Sequence, residues 1–137
     1  MDTCWIEQRK VRVAMDVARI WTIALEYIEA PVVLRITCAD NQKWTYSVAT
    51  KKSCSPDGDP AAWSDQSLLP TAPLGALIGK LGGSSCDKLG QIFAIGTTCV
   101  ISADQTFKGS LFLGMNDTIS ALADHGGAFD ISIHRKG

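Results

Sequence analysis

Asn116, Asp117, Asp124 and His125 lie close together in LFLGMNDTISALADHGGAFDISI, residues 111–133, between two runs of alternating apolar residues. Carboxylates and an amide oxygen are hard donors, and calcium takes about six to eight such oxygens, commonly completed by backbone carbonyls and water. Asp and Asn are also the ordinary residues of turns. On residue types alone, the solvated turn is the default reading and a cation site the sharper one.

Other stretches that could carry chemistry fall away on spacing. GALIGKL has its Gly79-Lys80 pair one residue too close for a phosphate-binding loop, and Leu81 stands where a magnesium-binding hydroxyl belongs. A buried strand with Lys80 at an edge is expected instead. DGDPAAWSD offers Asp57, Asp59 and Asp65 without the bidentate Glu that closes an EF-hand, so it reads as a solvated turn. His125 and His134 are the two neutral-pH bases, no nucleophile elbow is present, and His134 is expected at a strand end on the surface. Cys38 and Cys99 sit in strand-like runs and read as structural thiols. Trp5, Trp21 and Trp44 read as packing residues, whereas Trp63 lies in a polar loop among Pro60, Ala61, Ser64 and Asp65 and is expected to be exposed.

A chain of 137 residues, 46% of them hydrophobic, can bury one substantial core, so residues 1–137 are expected to form a single domain. The net charge of -1 and the lack of a basic run beyond Arg9-Lys10 and Lys51-Lys52 argue against nucleic acid as a partner. No apolar run is long enough to span a bilayer, and MDTCWIEQRK lacks a basic start, so a cytoplasmic location is expected. Five dispersed cysteines without a C-x-x-C pair agree with reduced thiols.

The elements that must position these residues read as strands. KVRVAMDV, RIWTIALEYI, APVVLRITC and KWTYSVAT alternate or are rich in β-branched and aromatic residues. The stretch 51–73, KKSCSPDGDPAAWSDQSLLPTAP, is long for a structureless connection and is a candidate functional loop. Beyond it, LGALIGKL, QIFAIGTTCVIS, GSLFLGM and AFDISIH supply further strands, with 20–28, 31–38, 74–81, 109–115 and 128–134 the clearest. Helical periodicity is hard to find outside the first few residues and SALAD. Short strands joined by Gly, Pro and Asp turns predict an all-β antiparallel β-sandwich.

The ordered series GALIGKLGG, FAIG, GSLFLGMND and GGAFDISI, preceded by SPDGD and WSDQSLL, resembles the bacterial galactophilic lectins of the LecA (PA-I) type and their β-sandwich relatives over residues 31–133. The resemblance implies a galactose-binding-like, jelly-roll type of sandwich that binds carbohydrate without catalysis. It also implies a calcium ion at one end of the sandwich, bridging protein to two sugar hydroxyls. Asp117 matches the bidentate carboxylate, Asp124 falls where an Asn ligand lies, and Ala121 where a Thr offers its carbonyl. A further carbonyl falls near Tyr46 or Ser47. Trp63 stands where a sugar-contacting His is found, and Gln66 matches a Gln that touches the sugar.

One departure bears directly on the cation. His125 replaces the second of two consecutive Asn ligands, and imidazole nitrogen is a poor partner for calcium. It leaves three roles open: ligand to a softer metal, hydrogen-bonding partner of a sugar hydroxyl, or mark of a site that has lost its ion. The functions to separate are a galactose-type lectin, a metal-free interaction module with Trp63 as anchor and, least favoured, a hydrolase using Asp117 and Asp124. Family members often assemble, so a homo-oligomer is a further expectation.

Overall fold

The computed structural model describes residues 4–14, 20–39, 41–85, 90–104 and 107–137. Strand expectations at Met15, the turn at Asp40 and the thiol of Cys86 lie outside them. Among the described residues ten strands are present: β1 Trp5–Ala14, β2 Thr22–Glu29, β3 Val32–Cys38, β4 Trp44–Ser47, β5 Lys52–Cys54, β6 Leu77–Leu81, β7 Gln91–Ala94, β8 Thr98–Ala103, β9 Lys108–Met115 and β10 Gly126–Lys136. The first residues, considered for a helix, are extended in β1, and SALAD falls in a short 3-10 helix at Ile119–Asp124.

All pairings are antiparallel and make two sheets. One runs β5-β4-β10-β3-β8 with β1 also on β10, and the other runs β2-β9-β6-β7. β10 organises the first: Ile131, Ile133 and Phe129 point inward while Asp130, Ser132 and His134 point out, the period of two that a half-buried strand requires. Its neighbours repeat the pattern through Val11 and Val13 on β1, and Leu34, Ile36 and Cys38 on β3. Against them pack Ala24 and Ile28 of β2, Leu77 of β6, and Leu111 and Leu113 of β9. Each fully buried aliphatic side chain contributes about 1.5–3 kcal/mol, so this interior dominates stability.

β2 breaks strict alternation because its register against β9 shifts twice, between Ile23 and Leu25 and between Leu25 and Ile28. The bulges turn Ala24 and Ile28 inward and leave Ile23 and Tyr27 exposed. β5 is a three-residue strand inside the stretch expected to be a loop; it pairs with β4, Trp44 facing Cys54.

β6 is buried along its whole length because both faces are covered. Leu77 and Leu81 face the main core, while Ile78 joins Trp21 and Phe112 in a second cluster capped by Ile20, Leu68, Leu69 and Ile92. This corrects the expectation for Lys80. It lies on a central strand, fully buried, with Nζ donating to the Ser84 carbonyl at 2.6 Å and held 5.2 Å and 5.0 Å from the Trp21 and Phe112 ring centres. Aromatic faces and a carbonyl replace the water that a surface ammonium would have.

Trp21 and Trp44 are core residues as their contexts suggest, and Trp5 lies beneath the Arg35 guanidinium at 4.8 Å. His134 is not an open surface residue: it sits half-buried on β10 between Glu7 and Arg35, and its Nδ1 is shielded without a hydrogen-bond partner.

Candidate functional site

One end of the sandwich collects the C-terminal ends of β3 and β9, the start of β10, the β4–β5 turn and the long segment after β5. Asn116, directly after β9, is the hub. Its Oδ1 accepts from Leu69 N at 2.8 Å, and its Nδ2 donates to the carbonyls of Leu69, Ala72 and Pro73 at 2.9, 2.9 and 3.0 Å. Its backbone closes the same turn, donating to the Ala76 carbonyl and accepting from Gly75 N. A fully buried amide is tolerated because every polar atom is matched, and it serves as a clamp on the loop rather than an open oxygen donor.

Gly75 completes the clamp. It adopts φ +83, and a Cβ there would stand 2.3 Å from Cys54 Sγ, so no other residue fits. Its carbonyl accepts the Trp44 indole N–H at 2.6 Å, and Trp44 stacks on Phe129 with ring centres 3.9 Å apart. The polar loop is thereby bolted to the aromatic core.

Asp117 is 5% exposed. Its Oδ1 accepts from Thr118 N at 2.7 Å, its Oδ2 lies 2.9 Å from His125 Nε2, and its carbonyl accepts from Leu68 N at 3.1 Å. His125 is equally buried, so the two side chains form a closed pair. Asp124 turns the other way: Oδ2 accepts from Ser47 Oγ at 2.9 Å, Oδ1 from Ala49 N at 3.0 Å, and its carbonyl from Val48 N at 2.9 Å. Ser47 Oγ also accepts from Thr50 Oγ1 at 2.7 Å, which ties the β4–β5 turn shut. Ala121 is half-buried on the 3-10 helix, its N–H donating to the Thr118 carbonyl.

These residues therefore meet at one end, yet the two carboxylates serve different partners. Calcium asks for oxygens free to turn toward it, and here both oxygens of Asp117 and both of Asp124 are already engaged by protein donors. As placed, this donor set does not fit calcium. Among the described residues, no group of three or more His, Cys, Asp or Glu side chains is arranged to hold a metal ion.

The segment 55–76 passes over the same end. Two of its Asp residues also anchor turns: Asp57, though exposed, accepts at Oδ1 from Thr97 N, and Asp59 accepts from Ala61 N and from the Tyr46 hydroxyl, while Asp65 stays exposed as the solvated-turn reading expects. The Tyr46 hydroxyl first, and the Ala61 N–H second, hold the Asp59 carboxyl below the usual range. Burial, with that carboxylate as a second cause, pushes Tyr46 up to about 12; burial likewise raises the Cys54 thiol to about 11. Above these anchors Trp63 is 55% exposed, its ring fixed by Nε1 donating to the Pro60 carbonyl at 2.9 Å. Gln66 is exposed, with its side-chain amide near Asp65. Val48 and Ile119 are further exposed apolar residues, on the β4–β5 turn and the 3-10 helix.

Of the residues expected around one ion, the structure pairs Asp117 with His125 and Asp124 with Ser47 in two separate contacts, while Asn116 as the loop clamp and Tyr46–Asp59 as its second anchor were not foreseen. The signal for Asn116 was its place directly after a strand, but its partners lie 43–47 residues away along the chain.

Two antiparallel sheets packed face to face, almost without helix, define an all-β β-sandwich. In overall fold the chain is similar to the EclA N-terminal domain, a PllA-like lectin, with a TM-score of 0.67 and 16% identity over 97% of this chain and 98% of that one. No protein-family model matches the sequence, and none of the curated proteins compared with it does.

Proposed function

We propose that this chain is a non-catalytic carbohydrate-binding module whose site lies at the loop end of the sandwich. The observation that carries the proposal is the placement of an exposed, ring-fixed Trp63 and an exposed Gln66 on a loop hydrogen-bonded directly to Asn116 and Asp117. An immobilised aromatic face suits the C–H face of a pyranose, and a neighbouring amide can both donate to and accept from a hydroxyl. Asp124, its two carboxylate oxygens taken by Ser47 and Ala49, holds the β4–β5 turn rather than the sugar. Asp117 lies beneath and acts by holding the loop and His125 in place.

Galactose-type selectivity is the narrower form of this proposal, supported by the resemblance in residues 31–133 and by Gln66. Calcium dependence sets a condition on it: the ion requires Asp117 to release His125, and Asp124 to release Ser47 and Ala49. A glycan array probed in calcium and in chelator tests both levels. Retained binding of galactosides in chelator supports ion-free recognition, binding lost in chelator supports dependence on a divalent ion, and no glycan bound in either condition overturns the module reading.

A second reading is a metal-free docking module. Trp63, Val48 and Ile119 are all exposed around this end, and a large aromatic beside smaller apolar residues is the composition of a protein-binding hot spot. An array that stays blank would favour it.

A further inference from the structure

The opposite end of the sandwich carries a second concave site. β2 finishes there at Glu29, β3 begins at Val32 and β10 runs out at Lys136. A cavity of about 210 Å³ opens between the sheets, floored by Leu25, Ile28, Val32 and Leu34. Around its rim stand Gln8, Tyr27, Glu29 and Arg135, all exposed, with Tyr27 the most exposed aromatic of the described residues at 57%. The bulge of β1 between Glu7 and Arg9 places Gln8 at the rim, and the bulge of β2 between Leu25 and Ile28 does the same for Tyr27.

The geometry points to a second carbohydrate subsite at this rim, taking a neutral pyranose. The rim side chains differ from those of the loop end in having no hydrogen bond or ion pair among the described residues. Glu29 presents acceptors, Arg135 a planar fork of donors, Gln8 both, and Tyr27 a phenol that does either. A ligand rich in hydroxyls can match acceptors and donors side by side, because each hydroxyl is both. An anion would be opposed by Glu29, and a cation by Arg135. The aliphatic floor and the Tyr27 ring supply the apolar surface for the sugar's C–H groups. A cleft of this volume suits one sugar ring rather than an extended ligand, since drug-sized sites begin at about 300 Å³.

This subsite shares no residue with the loop end, so the two readings fail separately. The test is an NMR titration of the full chain with galactose, glucose and mannose in turn, following backbone amides. The expected result is a saturable shift of the amides of residues 25–29 and 135 with at least one of the three. Tyr27→Ala and Arg135→Lys should each weaken that binding about ten-fold. Trp63→Ala should leave it intact. Because both rim positions are exposed, melting temperatures should not move. The proposal is overturned if none of the three sugars shifts those amides, or if both rim variants bind as the natural chain does.

Discussion

The two ends of this sandwich treat their polar groups in opposite ways. At the loop end Asn116, Asp117, Asp124, Asp57 and Asp59 are all engaged by protein partners, whereas at the far end the side chains of Gln8, Glu29 and Arg135 surround an apolar floor with no hydrogen bond or ion pair among the described residues. Polar groups spent internally build rigidity, and polar groups left over are available to a ligand. At the loop end the rigidity is lent to Trp63 and Gln66, which stay exposed on a segment that would otherwise be free to move.

The largest expected effect comes from breaking the clamp. Asn116→Ala removes four side-chain hydrogen bonds and leaves buried backbone groups of the loop unmatched, so urea unfolding should show a loss of about 3 kcal/mol or more. An equivalent change at the far end, Glu29→Ala, should stay within about 0.5 kcal/mol. Comparable losses from the two variants would erase the distinction between the ends.

A smaller effect tests the buried pair. Asp117→Ala strands His125 Nε2 and the Thr118 N–H, and should cost about 2 kcal/mol, with His125→Ala costing a similar amount. Because the two act on one contact, the double variant should lose less than the sum, with a coupling of about 1 kcal/mol in a thermodynamic cycle. Strict additivity would mean that the contact contributes nothing.

A third effect, absent at neutral pH, is alkaline. Cys54, raised from 9.0 to about 11, and Tyr46, raised from 10.0 to about 12, keep their protons longer in the folded chain. Their contribution is full below the unfolded values and is lost as pH rises through the folded ones, so the melting temperature should begin to fall above about pH 9. Cys54→Ser should blunt the onset of that fall.

Much of this architecture was legible in the sequence, for identifiable reasons. β3 and β10 alternate cleanly because one face of each meets the core, and the strand ranges 31–38 and 128–134 follow from that period, whereas β9 is buried on both faces from Leu111 to Met115 because Phe112 joins the second cluster. β2 was recognised as a strand, but the inward set was not, because two bulges change the face in mid-strand. β5 escaped because three residues, KSC, carry no period. Lys80 was misplaced since composition cannot reveal that the far side of β6 is covered by Leu68 and Leu69 from a loop. At the site, residue types located Asp117, Asp124 and His125. Which oxygen each donor occupies depended on the fold of the 47–50 turn and the 3-10 helix, which no spacing rule encodes.

The central claim is that the loop end binds sugar through a fixed, exposed indole. The most direct measurement follows the Trp63 Nε1–H resonance by NMR while galactose is titrated into the chain in the presence of chelator. The account predicts a saturable shift of that resonance, lost for binding in Gln66→Ala or weakened about ten-fold. A Trp63 resonance that stays unmoved up to saturating sugar, with and without calcium, would contradict it.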